Sequence, residues 1–207
     1  TSITIPDSVT YIGNNAFVSA GKSQGLSYVN LPKCEIIGDY GFYVARVPSI
    51  TLPKCSIIGN SAFTSNTGFS YVDAPSCITV GDYAFSYCRA LSYVNLSICE
   101  TIGASCFQRC NSLAEVNMPK VISIGEYAFD QDTALTSVNI PECSYIGTRA
   151  FGFCSNLTSI SAPKLMNLPF TAFCYCSSLS KINLPAVQSI DKQGFYNAQD
   201  IKEFYFS

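Results

Sequence analysis

Val80-Gly81-Asp82-Tyr83-Ala84-Phe85-Ser86-Tyr87-Cys88-Arg89-Ala90-Leu91-Ser92-Tyr93-Val94-Asn95-Leu96-Ser97 is one statement of a phrase that the chain makes nine times. The phrase opens on Gly-x-x-Ala-Phe, passes through small and polar residues, and closes on Leu-x-x-Val-Asn-Leu, after which Pro usually follows. Its anchors fall at Phe17, Phe42, Phe63, Phe85, Phe107, Phe129, Phe151, Phe173 and Phe195, so the spacing is 25, then 21, then 22 without further change. A unit of about 20 to 30 residues is too short to bury a core alone, so each must lean on its neighbours. Residues 1–207 are therefore expected to form one continuous solenoid of about nine rungs, with no internal boundary.

Composition agrees with a stacked body and removes several function classes. Of 207 residues 48% are apolar and only 13% charged, about half the usual charged share. No run approaches the roughly 18 to 20 apolar residues of a membrane span, and no charged-then-apolar leader opens the chain, so direct membrane insertion is not expected. The chain begins and ends on bare strand phrases, Ile3-Thr4-Ile5-Pro6 and Phe204-Tyr205-Phe206, and reads as the mature part or a fragment of a longer protein, because exposed terminal rungs normally carry caps. A net charge of −2 with 12 scattered basic residues argues against nucleic acid as a partner.

Two periods alternate inside each unit. Val94 and Leu96 alternate with Tyr93 and Asn95, the pattern of a strand with one buried face. The pair recurs as Val29 and Leu31, Ile50 and Leu52, Val72 and Ala74, Val116 and Met118, Val138 and Ile140, Ile160 and Ala162, Ile182 and Leu184. Stacked, these predict a parallel sheet whose strands end at Pro, which has no amide for the ladder. A second apolar pair, such as Cys34 and Ile37 or Cys143 and Ile146, predicts a shorter strand on the opposite side. Gly then turns the chain, and Asp39, Asn60, Asp82 and Glu126 are expected to cap a single helical turn that carries the Ala-Phe pair.

The phrase resembles the BspA-like leucine-rich repeats over essentially the whole chain. The resemblance implies a leucine-rich-repeat solenoid: a right-handed β/α superhelix with a parallel β-sheet on one face, and short second strands and single helical turns on the other. It also implies a cell-surface or secreted protein of an anaerobic or host-associated microbe, in a family with members that bind host matrix proteins or other cells. Departures are local. Pro169 and Asp191 replace the turn Gly, Ser97 replaces Pro, three residues are added around Gly21 to Gln24, and one is lost near Arg46 to Pro48.

Eleven cysteines in an exported chain would ordinarily suggest disulfides. Their slots point elsewhere. Cys34, Cys55, Cys77, Cys99 and Cys143 share a position filled in other rungs by Val121, Leu165 and Val187. Cys88, Cys110, Cys154 and Cys176 share one that also takes Ala45, Asn66, Asp132 and Ala198, which reads as smaller and less dry. Rungs about 5 Å apart leave bridging geometrically open, but a ladder of like-pointing side chains favours reduced, buried thiols. No spacing matches paired metal knuckles, so neither metal nor cofactor is expected.

With no histidine, Ser-His and Cys-His nucleophiles cannot be built, and no catalytic role is expected. Among the strand-face acids Asp73, Glu115 and Glu203, the first two lie two rungs apart, roughly 10 Å, at the wide limit for an inverting carboxylate pair.

The solvent-facing strand positions are where a ligand surface would be written. One column runs Tyr28, Ser49, Tyr71, Tyr93, Glu115, Ser137, Ser159, Lys181, Glu203; the next runs Asn30, Thr51, Asp73, Asn95, Asn117, Asn139, Ser161, Asn183, Tyr205. Tyr, Ser and Asn dominate, the residue types of recognition surfaces. The expected ligand-binding set is Tyr28, Asn30, Thr51, Tyr71, Asp73, Tyr93, Asn95, Glu115, Asn117, Asn139, Lys181 and Asn183, with Tyr71 and Tyr93 side by side as a platform for a sugar or peptide. The expected partner is a protein or glycan on a host or neighbouring cell. Against this stands a spacer or scaffold reading, because an Asn ladder can bond to itself and Tyr suits any half-exposed strand; a polysaccharide-acting solenoid is the lesser alternative. Open terminal rungs also expose strand edges that can associate weakly end to end. Tyr87, Arg109, Phe153 and Tyr175 form a second candidate surface or ordinary packing between rungs.

Overall fold

The structure is a computed structural model that describes residues 5–20, 29–47, 50–68 and 70–205. Tyr28, Ser49, the whole of the first insertion at Gly21 to Gln24, and Pro48 lie outside the described residues. Short strands at Tyr11–Ile12, Ile36–Ile37, Ile57–Ile58, Thr79–Val80, Thr101–Ile102, Ser123–Ile124 and Tyr145–Ile146 pair in parallel as one sheet, and Asn167–Leu168 with Ser189–Ile190 repeat the arrangement further on. On the other side, Ile50–Thr51, Tyr71–Asp73, Tyr93–Asn95 and Glu115–Asn117 form a four-stranded parallel sheet, and Ser137–Asn139, Ser159–Ser161, Lys181–Asn183 and Glu203–Tyr205 form another. The chain is thus a parallel β-solenoid of about eight turns.

The single long sheet expected from the strand phrases is divided. Backbone bonds carry the ladder from Leu52 to Asp73 (2.7 Å), Ala74 to Asn95 (3.0 Å) and Leu96 to Asn117 (2.8 Å), then resume from Ile140 to Ser161 (2.9 Å). Between the strands ending at Asn117 and Asn139 the pairing opens, and Val116 below the gap is only half-buried, whereas Val94 and Ile160 are buried.

Proline does more than end a strand. The amides of Cys55, Cys77 and Cys143 reach back to the carbonyls of Leu52, Ala74 and Ile140. Each closes a tight turn with Pro in its second position, where the ring fixes the required φ. This corner joins the two sheets.

The helical turns expected around Ala-Phe are absent: the described residues contain no helix. In their place lies a chain of overlapping tight turns with non-glycine residues at positive φ, at Tyr83 (57°) and Tyr87 (61°), Ser105 (51°) and Arg109 (62°), Tyr127 (57°) and Gln131 (66°), and so along the stack. The hydrogen bonds give the reason. Alternate amides close turns within the rung, as Ser86 to Tyr83 and Cys88 to Phe85, while Tyr83, Phe85 and Tyr87 donate to Ala104, Cys106 and Gln108 of the next rung. A helix would spend every amide inside its own rung and leave the stack unladdered. Each left-handed residue costs roughly 1–2 kcal/mol, and the inter-rung bond from its own amide offsets that cost.

The polar residues expected to cap a helical turn bridge rungs instead. Asn14 Oδ1 accepts the Asp39 amide (2.9 Å), Asp39 Oδ1 that of Asn60 (2.7 Å), Asn60 Oδ1 that of Asp82 (2.8 Å) and Asp82 Oδ1 that of Ala104 (2.7 Å). Ala104 has no acceptor to continue the relay, so Glu126 stands apart from it. The turn glycines owe their place to crowding: a Cβ on Gly103 would meet Asp82 N and Gly81 C at 2.5 Å.

Along the axis the nine anchor phenylalanines form one stack, with neighbouring centroids 4.8–5.6 Å apart and planes within 17° of parallel. Phe42 to Phe173 are fully buried, while Phe17 and Phe195 at the ends are partly so.

Candidate functional site

The longer-strand face presents what the alternation requires. Val72, Val94, Val138, Ile160 and Ile182 point inward and are buried, while Asn30, Thr51, Glu115, Asn139, Lys181 and Asn183 are exposed and Asp73, Tyr93, Asn95 and Asn117 are half-exposed. Register places Tyr71 opposite Tyr93, and Tyr93 opposite Glu115. Of the expected set, only Tyr28 falls outside the described residues.

Tyr71 and Tyr93 do come together, but not as a flat platform. Their rings lie face to face, 5.5 Å between centroids and 8° from parallel, so their inner faces cover each other. A sugar ring stacking on an open aromatic face cannot use the covered ones. Partial burial, with Asp73 and Tyr93 beside it, raises the Tyr71 phenol above its ordinary pKa.

Beside the rings runs a side-chain ladder. Asn95 Nδ2 donates to Asp73 Oδ1 and Asn117 Nδ2 to Asn95 Oδ1, each at 2.8 Å. The ladder stops where the sheet divides, and a single link, Asn183 Nδ2 to Ser161 Oγ at 3.0 Å, takes its place beyond. Asp73 is thereby held by Asn95, while Glu115 is exposed two strands away.

The second half of this face holds a feature that takes in three residues of the expected set, Asn139, Lys181 and Asn183, which the sequence reading did not group as a site. A trough of about 220 Å³ lies over Ser137, Ser159, Ser161, Lys181, Glu203 and Tyr205, with Val138, Ile160 and Ile182 beneath it. The signal was present in the sequence: Ser137, Ser159 and Ser161 are, with Ser49, the shortest side chains in their columns, and these three stand together. Residue type drew the expectation to the tyrosines, whereas depth depends on contrast in height between neighbouring rungs.

On the turn side, the second candidate surface is packing between rungs. Phe153 stacks on Tyr175 with centroids 4.4 Å apart, Arg109 lies over Tyr87 at 5.2 Å and Arg149 over Phe153 at 4.6 Å. Arg149 Nε also meets the buried Asp130 Oδ1 at 2.7 Å, with Gln108 and Gln131 on the other carboxylate oxygen. Gly152 makes room for this pair, since a Cβ there would meet Arg149 Cγ at 2.5 Å.

All eleven cysteines are free and buried. One column donates within its own rung, as Cys55 Sγ to Ile57 O at 3.2 Å, and the other donates to the Phe carbonyl of an earlier rung, as Cys110 Sγ to Phe85 O at 3.1 Å. From Ala45 to Cys176 the second column is fully dry, against expectation, with Asn66 and Asp132 each 0% exposed; Ala198 on the last rung is half-buried. Burial pushes the Cys55 thiol up to about 12 and that of Cys143 to about 11, far from reactive thiolate. Among the described residues no group of three or more His, Cys, Asp or Glu is placed to hold a metal ion.

Comparison with known proteins followed the same lines. The profile of the BspA type leucine rich repeat region matches residues 1–114 and 100–207 in 6 copies. A leucine-rich repeat protein from Bacteroides ovatus is similar in structure, with TM-score 0.73 and 25% identity over 96% of this chain and 58% of that one. A leucine rich repeat protein of T. pallidum aligns at TM-score 0.64 and 22% identity over 79% and 82% of the two chains. A leucine rich cell surface protein from Faecalibacterium prausnitzii aligns at TM-score 0.55 and 20% identity over 90% and 60%. No curated protein matches the sequence.

Proposed function

Because this chain belongs to the BspA-type leucine-rich repeat family, we propose that it serves as a non-catalytic recognition module of a cell-surface or secreted protein, binding a protein or glycan of a host or neighbouring cell. The observation that carries this reading is the longer-strand face itself. Its outward side chains are not needed by the core beneath, yet neighbouring rungs hold several of them in place, the Tyr71 and Tyr93 rings by stacking and Asp73, Asn95 and Asn117 by hydrogen bonds. A surface ordered in advance loses little entropy on binding. Surface placement is supported by the Faecalibacterium relative, described as a cell surface protein. The two-strand separation of Asp73 and Glu115, roughly 10 Å by strand spacing, and the hydrogen bond that ties Asp73 to Asn95 speak against the polysaccharide-cleaving alternative.

A spacer reading has its own support, because Asp73, Asn95 and Asn117 spend hydrogen bonds on one another. The test is binding of the purified chain to an array of matrix proteins and glycans, beside a variant with Tyr71→Ala and Tyr93→Ala. Recognition predicts a signal that the variant loses while its thermal unfolding changes little. A blank array for the folded chain would leave the spacer reading standing.

A further inference from the structure

We infer that the trough on the second half of the strand face is a subsite for one neutral sugar ring of a glycan, an inference that rests on the recognition reading above. Its size comes first. At 220 Å³ it is smaller than the roughly 300–1,000 Å³ of pockets for drug-sized ligands. It would displace about seven waters at about 30 Å³ each, the room that a single pyranose takes.

Its lining offers an apolar side and a polar side. Val138, Ile160 and Ile182 point into the core, so the floor is the strand backbone, left open because Ser137 and Ser159 are short; the Lys181 stem and the Tyr205 ring in the lining give the C–H side its apolar contact. Lys181 and Glu203 sit opposite each other on paired strands. Their charges nearly cancel over the trough, so a phosphate, sulfate or uronate loses at Glu203 what it gains at Lys181. An uncharged polyol uses both, because the carboxylate accepts from neighbouring hydroxyls and the ammonium donates to them. Tyr205, 56% exposed, also lines the trough, and its hydroxyl donates to Glu203 Oε2 at 3.3 Å. The paired rings of Tyr71 and Tyr93 cover one face of each other and lie in the other strand-face sheet, away from the trough.

The test is saturation-transfer NMR on the folded chain with the methyl glycosides of glucose, galactose, mannose and N-acetylglucosamine, with glucuronate and inorganic phosphate alongside. At least one neutral glycoside is expected to bind with Kd of about 1 mM. Ser159→Tyr, which fills the trough, should abolish the signal, and Glu203→Gln should weaken binding about tenfold. Tyr71→Ala with Tyr93→Ala should leave it intact. If Ser159→Tyr fails to fold by circular dichroism, the exposed Glu203→Gln change decides the matter alone. Silence from every neutral glycoside, a signal that survives the trough variants, or tighter binding of glucuronate or phosphate overturns the assignment. An array ligand that is lost with the tyrosines while all glycosides stay silent would sink the subsite and keep the recognition reading; blank results in both would sink the two together.

Discussion

Asp132 occupies the same slot as Asn66, and the amide explains how the acid must behave. Asn66 Oδ1 accepts the Val47 amide at 3.0 Å while its Nδ2 donates to the carbonyls of Phe42 and Phe63 at 2.7 and 2.9 Å. Asp132 Oδ1 likewise accepts the Cys110 amide at 2.7 Å, but its Oδ2 is buried with no partner. By the register of the repeat, the equivalent carbonyls are those of Phe107 and Phe129, which a carboxylate cannot engage and a carboxylic acid can. Burial holds this carboxyl well above the usual range, against the Cys110 amide and with Asp130 adding to the rise. The groups facing it are Cys110 from the rung before, Cys154 from the rung after and Asp130 beside it, itself paired with Arg149. The folded state therefore keeps a proton that the unfolded chain releases near pH 4. Above that pH this group subtracts about 1.4 kcal/mol of stability per unit until the folded value is reached. Asp132→Asn should unfold at a higher temperature than the parent at pH 7, with the gap closing toward pH 4; melting curves across that range check it, and a constant gap would refute the neutral acid.

At the scale of the element, the turn segment carries the solenoid's largest departure from ordinary backbone. Ser65 at φ 60° donates its amide to Ser86 O at 2.8 Å, and its side chain is not part of the buried core. Ser65→Gly should relieve left-handed strain of roughly 1–2 kcal/mol and give back about 0.4–1 kcal/mol through the freer unfolded chain. Stability measured by urea unfolding is expected to hold or rise slightly. Gly103→Ala is the opposite case, because its Cβ would strike the backbone of the previous rung, which cannot swing aside as a side chain can. A loss of about 2–3 kcal/mol is expected from the same measurement.

At the scale of the molecule, thiols that are buried rung after rung make reactivity a report on the whole stack. Native protein should resist iodoacetamide, and all eleven cysteines should label once it is denatured; labelling that falls short in denaturant without reductant would reveal disulfides. Since burial raises thiols such as Cys55 and Cys143 well above the ordinary thiol value, the unfolded chain loses protons first as pH rises. Stability should fall from about pH 9 toward pH 11–12, the reverse of what exposed, partnered thiolates would give. Thermal unfolding at stepped alkaline pH reads this directly.

Much of this architecture was legible because a repeat is its own alignment. The Phe spacing, the Val-x-Leu alternation and the shared Cys slots each specify a register, and stacking neighbours in that register leaves one arrangement in which the apolar positions meet. Three matters were not local. Whether the Gly-x-x-Ala-Phe segment coils into a helix or opens into laddered turns depends on the amide acceptors of the next rung, as the bond from Tyr83 to Ala104 illustrates. Whether Tyr71 and Tyr93 offer faces or edges depends on how two rings share one rung spacing. Where the surface dips depends on short Ser137 and Ser159 lying between taller rungs and on the division of the sheet after Asn117. The sequence by itself determined the solenoid, its core and the columns that meet solvent, since these follow from periodicity and the burial of apolar side chains. Only the tertiary structure decided the turn conformation, the orientation of the aromatic pair and the place of the trough, because each is set by atoms about 22 residues away in the neighbouring rung.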